Sequence, residues 1–477
     1  MRLLKNYAKK LVLLVIAIIF WILIWHFYAR KVDSSIFLPT PKETLKALLV
    51  LVRKKTFWRI VVTSLKRILT GFILAVVSGI VLAAISAFNF VIRILLEPFM
   101  KLVKSVPVAS FTILILLWIH SEELSVVISF FMVLPVIYIN VLQGFENVDC
   151  DMIEMAKVYQ VSKAKIIRFL YVPAVDPAFF SACRIGIGLC FKSGIAAEVI
   201  GLPVRSIGSE LYKAKLYLMT DELFAWTIVI ICMSVLFENV CIVLLRVISR
   251  RIKNVSVKNV RGIIQAPPSG VEAKNQPHQI NELDVVEISK FYDHQCVLQD
   301  ISFQVKGGEV FCVMGESGIG KTTLMKIIMG IVKPDFGHVV FQNENSILTA
   351  AFQEDRLLKN ADIYTNLYFA MKDDKNFNQK IPLIDCHLKQ AGLEGLGRKR
   401  VEELSGGMLR RVSIIRAVIT NPDILILDEA LNGMDQATKE LMIAYIKMYC
   451  SDKIVIMVTH HIEEAKKMGA KIFRIGE

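Results

Sequence analysis

The segment GESGIGKTT, Gly315 to Thr323, has the residue types of a loop that wraps phosphate. It follows the apolar run VFCVM and precedes the apolar run LMKIIMG, which gives the order strand, loop, helix. Gly315, Gly318 and Gly320 let successive backbone N–H groups point inward around an anion, and the helix start adds its own N–H groups. Glu316, Ser317, Ile319 and Thr323 fall within the same loop and join the candidate nucleotide contacts. Lys321 would bring a point charge to the β- and γ-phosphates, and the Thr322 hydroxyl suits a magnesium ion. About a hundred residues on, ILILDE reads as a buried strand that ends in Asp428 and Glu429. Carboxylates at a strand's carboxyl end lie where an α/β sheet presents its ligands. Asp428 suits the magnesium shell and Glu429 a general base for an attacking water. The same pair could instead cap the next helix.

Four further motifs occur around that pair: FQED with Gln353, LSGGM from Leu404 to Met408, LNGMD ending in Asp435, and VTH ending in His460. Singly, each has an ordinary reading as a loop amide, a helix start or a histidine at the end of a buried strand. Together with the phosphate loop, and in this order, they resemble the ABC transporter ATPase over nearly all of residues 282–477. The resemblance implies ATP with Mg2+ as ligands, and Tyr292 stacking on adenine, a ring that Phe291 could also supply. It also implies that Gln353 joins the magnesium and links nucleotide to a membrane domain, and that His460 holds the γ-phosphate. Asp435 would contribute to the nucleotide site, whereas Ser405, Gly406 and Gly407 would contact ATP bound to an opposite ATPase domain. Each site would then need a second copy of the chain or a homologous permease and ATPase. Met408 stands for the usual Gln, LNGMD for a Ser-Ala-Leu-Asp run, and His461 where Asp is common.

These motifs need a scaffold, and the composition divides it in two. The chain has 477 residues, 54% of them hydrophobic, which exceeds one ordinary soluble domain. Its formal charge is +14 overall, with +17 in residues 1–280 and −3 in residues 281–477. The excess flanks apolar runs, a pattern of membrane-spanning helices with basic cytoplasmic ends and not of a nucleic-acid surface. The nine cysteines show no metal-ligand spacing and read as reduced and structural. Six spans are expected near Leu11–Tyr28, Thr70–Phe88, Val106–Ile119, Leu124–Leu142, Phe179–Ile200 and Leu223–Val247. The first is read as uncleaved, and Phe37–Lys66 as an interfacial helix. Basic residues at both ends of this region place both ends in the cytoplasm of a multi-pass plasma-membrane protein, with the lipid bilayer as its solvent. The reading is an all-α membrane domain over 1–253, a linker over 254–281 that contains APPSG and NQPHQ, and an α/β domain of the P-loop ATPase class over 282–477.

Between the fourth and fifth expected spans, IEMAKVYQVSKAKIIRFLYVPAVDP carries Glu154, Ala156 and Pro173. These match the E-A-A coupling loop of ABC importer permeases, here about 151–175, with Met155 for Ala and Gln160 for the usual Gly. An amphipathic helix that presents Lys157, Lys163 and Lys165 to anionic lipid is the alternative. FLPTPKETLKAL, SLKRILTGFILAVVSGIVLA and RIGIGLCFKSGIAAEVIG are similar to permeases of the nitrate, sulfonate and taurine importer family over most of residues 35–250. That likeness implies an extracytoplasmic substrate-binding protein and a small, often anionic solute, or a vitamin precursor, moved by alternating access. Arg184 and Lys192, eight residues apart on the fifth span, share a helix face and could line an anion route. Arg184 could equally snorkel to the interface, and Lys192 could pair with Glu198. Two other architectures fuse such domains: an exporter half-transporter, and a membrane-bound signalling ATPase that moves no solute.

Overall fold

The computed structural model describes residues 2–32, 37–255, 282–293, 295–316, 318–343, 346–372 and 377–476. The expected linker lies outside the described residues from 256 to 281, as does Ser317. The chain forms two compact units: residues 1–147 with 174–252, and residues 148–173 with 253–477.

The first unit is helical. Helices α1 (Arg2–Val32), α2 (Pro41–Arg53), α3 (Lys55–Phe88), α4 (Phe90–Ser105), α5 (Val108–Leu116) and α6 (Ser121–Glu146) precede residue 147. After the segment that belongs to the second unit come α9 (Val172–Gly201), α10 (Ile207–Leu216) and α11 (Thr220–Val255). Among the described residues, five helices are long and apolar enough to cross a membrane, and α4 with α5, bent by 105°, makes a sixth if the pair is one span. The span expected at Val106–Ile119 is therefore corrected. Its helix has only nine residues, because Val106 is held extended before Pro107, and α5 is too short to cross by itself. Arg93, Glu97, Lys101 and Lys104 hid α4 from a hydropathy reading. The span expected from Thr70 begins at Lys55 instead, and the interfacial helix shortens to α2, opened by a capping box between Thr40 and Glu43.

The core of this unit forms where α3 and α6 approach closely. A Cβ on Gly71 would stand 2.4 Å from the Val126 carbonyl oxygen, and one on Gly194 of α9 2.7 Å from Ile68 Cγ1. Several buried polar groups here are paired internally, as a lipid surround favours, although Thr44 Oγ1 and Glu198 Oε1 are not. Tyr138 donates to Ser86 Oγ at 3.0 Å, and Ser64 donates to Glu198 at 2.8 Å while accepting from the Ile207 N–H. Arg67 and Glu122, 55 residues apart, form an ion pair.

The second unit has two sheets. Strands β1 (Glu282–Tyr292), β2 (Gln295–Lys306) and β4 (Phe336–Phe341) form an antiparallel sheet in the order β2-β1-β4. Strands β3 (Val310–Met314), β5 (Leu348–Ala351), β6 (Ile424–Asp428), β7 (Ile454–Val458) and β8 (Lys471–Arg474) form a parallel sheet in the order β5-β6-β7-β3-β8. Every residue of β6 and of β7 is buried, as strands covered on both faces require. Helices α12 (Lys321–Ile328), α13 (Ile363–Ala370), α14 (Phe377–Gln390), α15 (Gly406–Val418), α16 (Gln436–Cys450) and α17 (Ile462–Met468) complete it. The same unit includes α7 (Cys150–Val158), α8 (Lys163–Ile166) and a π-helical turn at Ile167–Tyr171.

Candidate nucleotide site and its link to the coupling helix

Parallel pairing aligns Asp428 with Val458 and Val458 with Val313, so β6, β7 and β3 all end at one edge. That edge gathers the phosphate loop after β3, Asp428 and Glu429 after β6, and Thr459 and His460 after β7. Gly320 has φ +103° and packs under the β1–β2 hairpin, where a Cβ would lie 2.7 Å from Leu298 Cδ2 and 2.8 Å from the Val297 oxygen. Gly318, at φ +87°, has open space where its side chain would be. Lys321 is buried and donates to the Gly315 and Glu316 carbonyl oxygens at 2.8 and 2.7 Å, which holds its ammonium over the loop. Thr322 is exposed and Thr323 half-buried.

Asp428 is 3% exposed, and its Oδ1 has no hydrogen-bond partner. Burial, with the charge of Glu429 adding to it, pushes its carboxyl from 3.8 up to about 6, against the attraction of Arg410, Lys326 and Arg356. A buried, unsatisfied carboxylate oxygen beside a phosphate loop fits a cation, and Asp428 with Thr322 and Gln353 would hold magnesium there. When bound, the ion would neutralise phosphate charge. Glu429 has φ +48° and is held from three sides: His460 Nε2 at 3.0 Å, Asn432 Nδ2 at 3.0 Å and Gln353 Nε2 at 3.5 Å. Neither Asp428 nor Glu429 is the residue that caps the next helix. Asp435 does that for α16, accepting from Thr438 N at 2.9 Å and Thr438 Oγ1 at 2.8 Å, so its carboxylate is already committed locally.

Tyr292 ends β1 with 46% of its surface exposed, and Lys290 lies 5.3 Å from its ring centre. Phe291 is exposed to a similar degree and meets Phe336 edge-on, so both rings remain at the same hairpin end. Ser405 is the N-cap of α15 and makes no side-chain capping bond; Ser405 and Gly406 are exposed. Neither Gly406 nor Gly407 has any atom within 4 Å of a built Cβ, and neither needs a left-handed backbone.

The segment expected to act as a coupling loop belongs to the same unit. Asp149 caps α7, and Ala156 and Met155 are fully buried. Gln160 turns the chain with φ +51°, so the usual glycine geometry is kept by a residue that pays for it. Glu154 and Asp151 both pair with Arg356, at 3.3 and 2.9 Å. Tyr159 donates to the Ala350 carbonyl at 2.8 Å. Lys165 donates to the Met371 carbonyl at 2.6 Å and is only 5% exposed, which corrects the lipid-facing alternative for this lysine; Lys157 and Lys163 are exposed. Pro173 is exposed in the first turn of α9. Nothing in the sequence signals Arg356, Arg410 and Tyr159, whose partners are backbone carbonyls or residues far along the chain; Asn432 lies three residues from its partner Glu429, inside LNGMD, and could have been found there. In the membrane unit, Arg184 and Lys192 are exposed on α9 and, among the described residues, neither forms an ion pair. Glu198 accepts from Ser64 and from the Gly208 N–H at 3.2 Å, not from Lys192.

Comparison with known proteins divides the chain in the same way. Residues 298–432 match the ABC transporter family model, and residues 75–254 match the binding-protein-dependent transport system inner membrane component. The spermidine/putrescine import ATP-binding protein PotA of Mycoplasma capricolum is 36% identical over 203 residues, 40% of this chain and 58% of that protein. The protein of the same name from Fusobacterium nucleatum is 30% identical over 205 residues, 40% of this chain and 54% of the relative. The chain thus spans little more than half the length of these curated relatives. A solved ATP-binding cassette in a post-hydrolysis dimer with ADP and Pi is 26% identical, with a TM-score of 0.37, covering 40% of this chain and 94% of that one. The molecule is a multi-pass membrane protein in which a helical permease domain precedes a cytoplasmic α/β domain of the ABC ATPase type.

Proposed function

We propose that the chain hydrolyses ATP, with Mg2+, to drive import of a small solute by alternating access. The observation that carries this is the continuity of one cluster: Glu429, held by His460 and Gln353, lies in the same unit as a coupling helix whose Glu154 pairs with Arg356, three residues after Gln353. Lys321 and the loop Gly315–Thr323 would hold the phosphates, Asp428 and Thr322 the metal, and Glu429 would take the proton of the attacking water. Neither backbone nor packing within the protomer demands glycine at Gly406 or Gly407, which leaves room for a body outside it. Gly406 and Gly407 therefore support completion of each nucleotide site by a second copy or a homologous chain. The family model matched by the permease half supports delivery of solute by an external binding protein.

For the solute, the exposed Arg184 and Lys192 favour an anion of the sulfonate, nitrate or vitamin-precursor kind. A polyamine is the second reading, favoured by the names of the curated relatives and by Glu198, whose Oε1 is buried without a partner. The relatives are ATP-binding proteins, and that half of the chain does not line a solute path, so the anionic reading stands first. The test is depletion of a pool of small anions, vitamin precursors and polyamines by cells that also carry the binding protein, with the wild-type chain or Glu429→Gln. Glu429→Gln should lower ATP turnover by about 10²–10⁴. A compound removed only by the wild type names the solute. Accumulation outside the cells would mean an exporter, and unchanged pools with intact ATP turnover would mean a signalling ATPase.

A further inference from the structure

Helix α15 starts at the exposed Ser405–Gly407 end and then runs under the loop that carries Gln353. One turn in, Arg410 Nη1 donates to the Phe352 oxygen at 3.0 Å, the Gln353 oxygen at 2.6 Å and Asp355 Oδ1 at 3.1 Å. Further along, the fully buried Arg416 donates from Nη1 to the Arg356 oxygen at 2.6 Å and from Nη2 to the Asp355 oxygen at 3.0 Å. Two guanidinium groups of one helix therefore fix the backbone carbonyls of Phe352, Gln353, Asp355 and Arg356. Arg356 is thereby held at φ +45° with its own guanidinium turned to Asp151 and Glu154 of α7. Backbone acceptors cannot move away from these donors without moving the loop; Arg416 grips two carbonyls with the two arms of its fork, and Arg410 gathers its three acceptors on Nη1 alone.

Resting on the ATPase and coupling roles proposed above, we infer that Arg410 is a positioning residue that joins α15 to the Gln353 loop. Nucleotide held against Ser405–Gly407 by a second copy would then reach α7 through α15. The route through Gln353 alone reports the nucleotide of the same copy. The Arg410 route reports the nucleotide of the other copy, so α7 would respond when both halves of a site are present.

The experiment uses the full chain in lipid nanodiscs, in a Glu429→Gln background so that ATP stays bound, and reads hydrogen exchange over Cys150–Val158 with and without Mg-ATP. Direct binding of a fluorescent ATP analogue is measured alongside. ATP should slow exchange in this helix, and adding Arg410→Met should remove about threefold to thirtyfold of that slowing while analogue affinity stays within about threefold. Arg410→Lys, which keeps a charged donor nitrogen but on a shorter, more flexible stem, should remove part of it and decides the matter if the methionine variant does not fold. Full slowing in both variants overturns the relay, as does loss of analogue binding in step with it, which would make Arg410 a plain scaffold residue. No slowing even with Arg410 present, despite ATP binding, would instead overturn the coupling role proposed for α7.

Discussion

Glycine serves opposite purposes in the two units. In the membrane unit Gly71 and Gly194 have ordinary helical backbone, and what matters is the missing side chain: a carbonyl oxygen or an isoleucine occupies its place at 2.4–2.7 Å. In the second unit Gly318 has open space around it, and what matters is a left-handed backbone that an L side chain resists. Helices in lipid gain stability from close approach, so small residues mark contact lines. A phosphate loop needs N–H groups aimed at one point, so its glycines mark turns. Gly406 and Gly407 fit neither purpose within the protomer, and that contrast is what makes them informative.

Substitutions can break the comparison. Gly320 combines both demands, so Gly320→Ala should show the largest loss, about 2–4 kcal/mol in denaturant unfolding of the second unit, together with loss of ATP-analogue binding. An unchanged midpoint would mean that the hairpin does not press on the loop. Gly71→Ala should cost about 1–3 kcal/mol, read as a lower melting temperature of the detergent-solubilised chain, with nucleotide binding intact. Gly406→Ala should act in reverse. Stability should hold or rise by up to about 1 kcal/mol, since alanine is the better helix residue, while ATP turnover collapses. A drop in stability there would show that the glycine is needed inside the protomer after all.

The acid edge of the site offers a test by pH. Asp428 is raised in the folded state to about 6 from 3.8, so the fold binds more protons than the unfolded chain across that interval. Stability of the nucleotide-free protein should therefore fall as pH climbs from about 4 to about 6, by up to roughly 3 kcal/mol, and Asp428→Asn should flatten this slope. Magnesium affinity should change in the opposite direction, rising over the same range as the carboxyl loses its proton.

The phosphate loop and the Asp428–Glu429 pair were legible because their chemistry is contiguous in sequence and bracketed by buried strands. The membrane helices were legible where apolar runs were unbroken and misplaced where charges paired at a distance. Arg67 finds Glu122 only in the fold, which hid the first turns of α3, and Arg93 finds Glu146, which hid α4. Arg410 was illegible for a different reason. Its acceptors are mostly backbone oxygens, which every residue carries, so nothing in the composition of residues 352–356 announces it.

The exposed start of α15 also bears on what happens in a cell that makes two versions of this chain. Were each site shared between two copies, a defective chain would do more than fail on its own: at equal expression and random pairing, about three in four dimers would contain at least one defective copy. Inheritance of such a defect would then be dominant, and the severity would depend on whether one intact site suffices for a transport cycle.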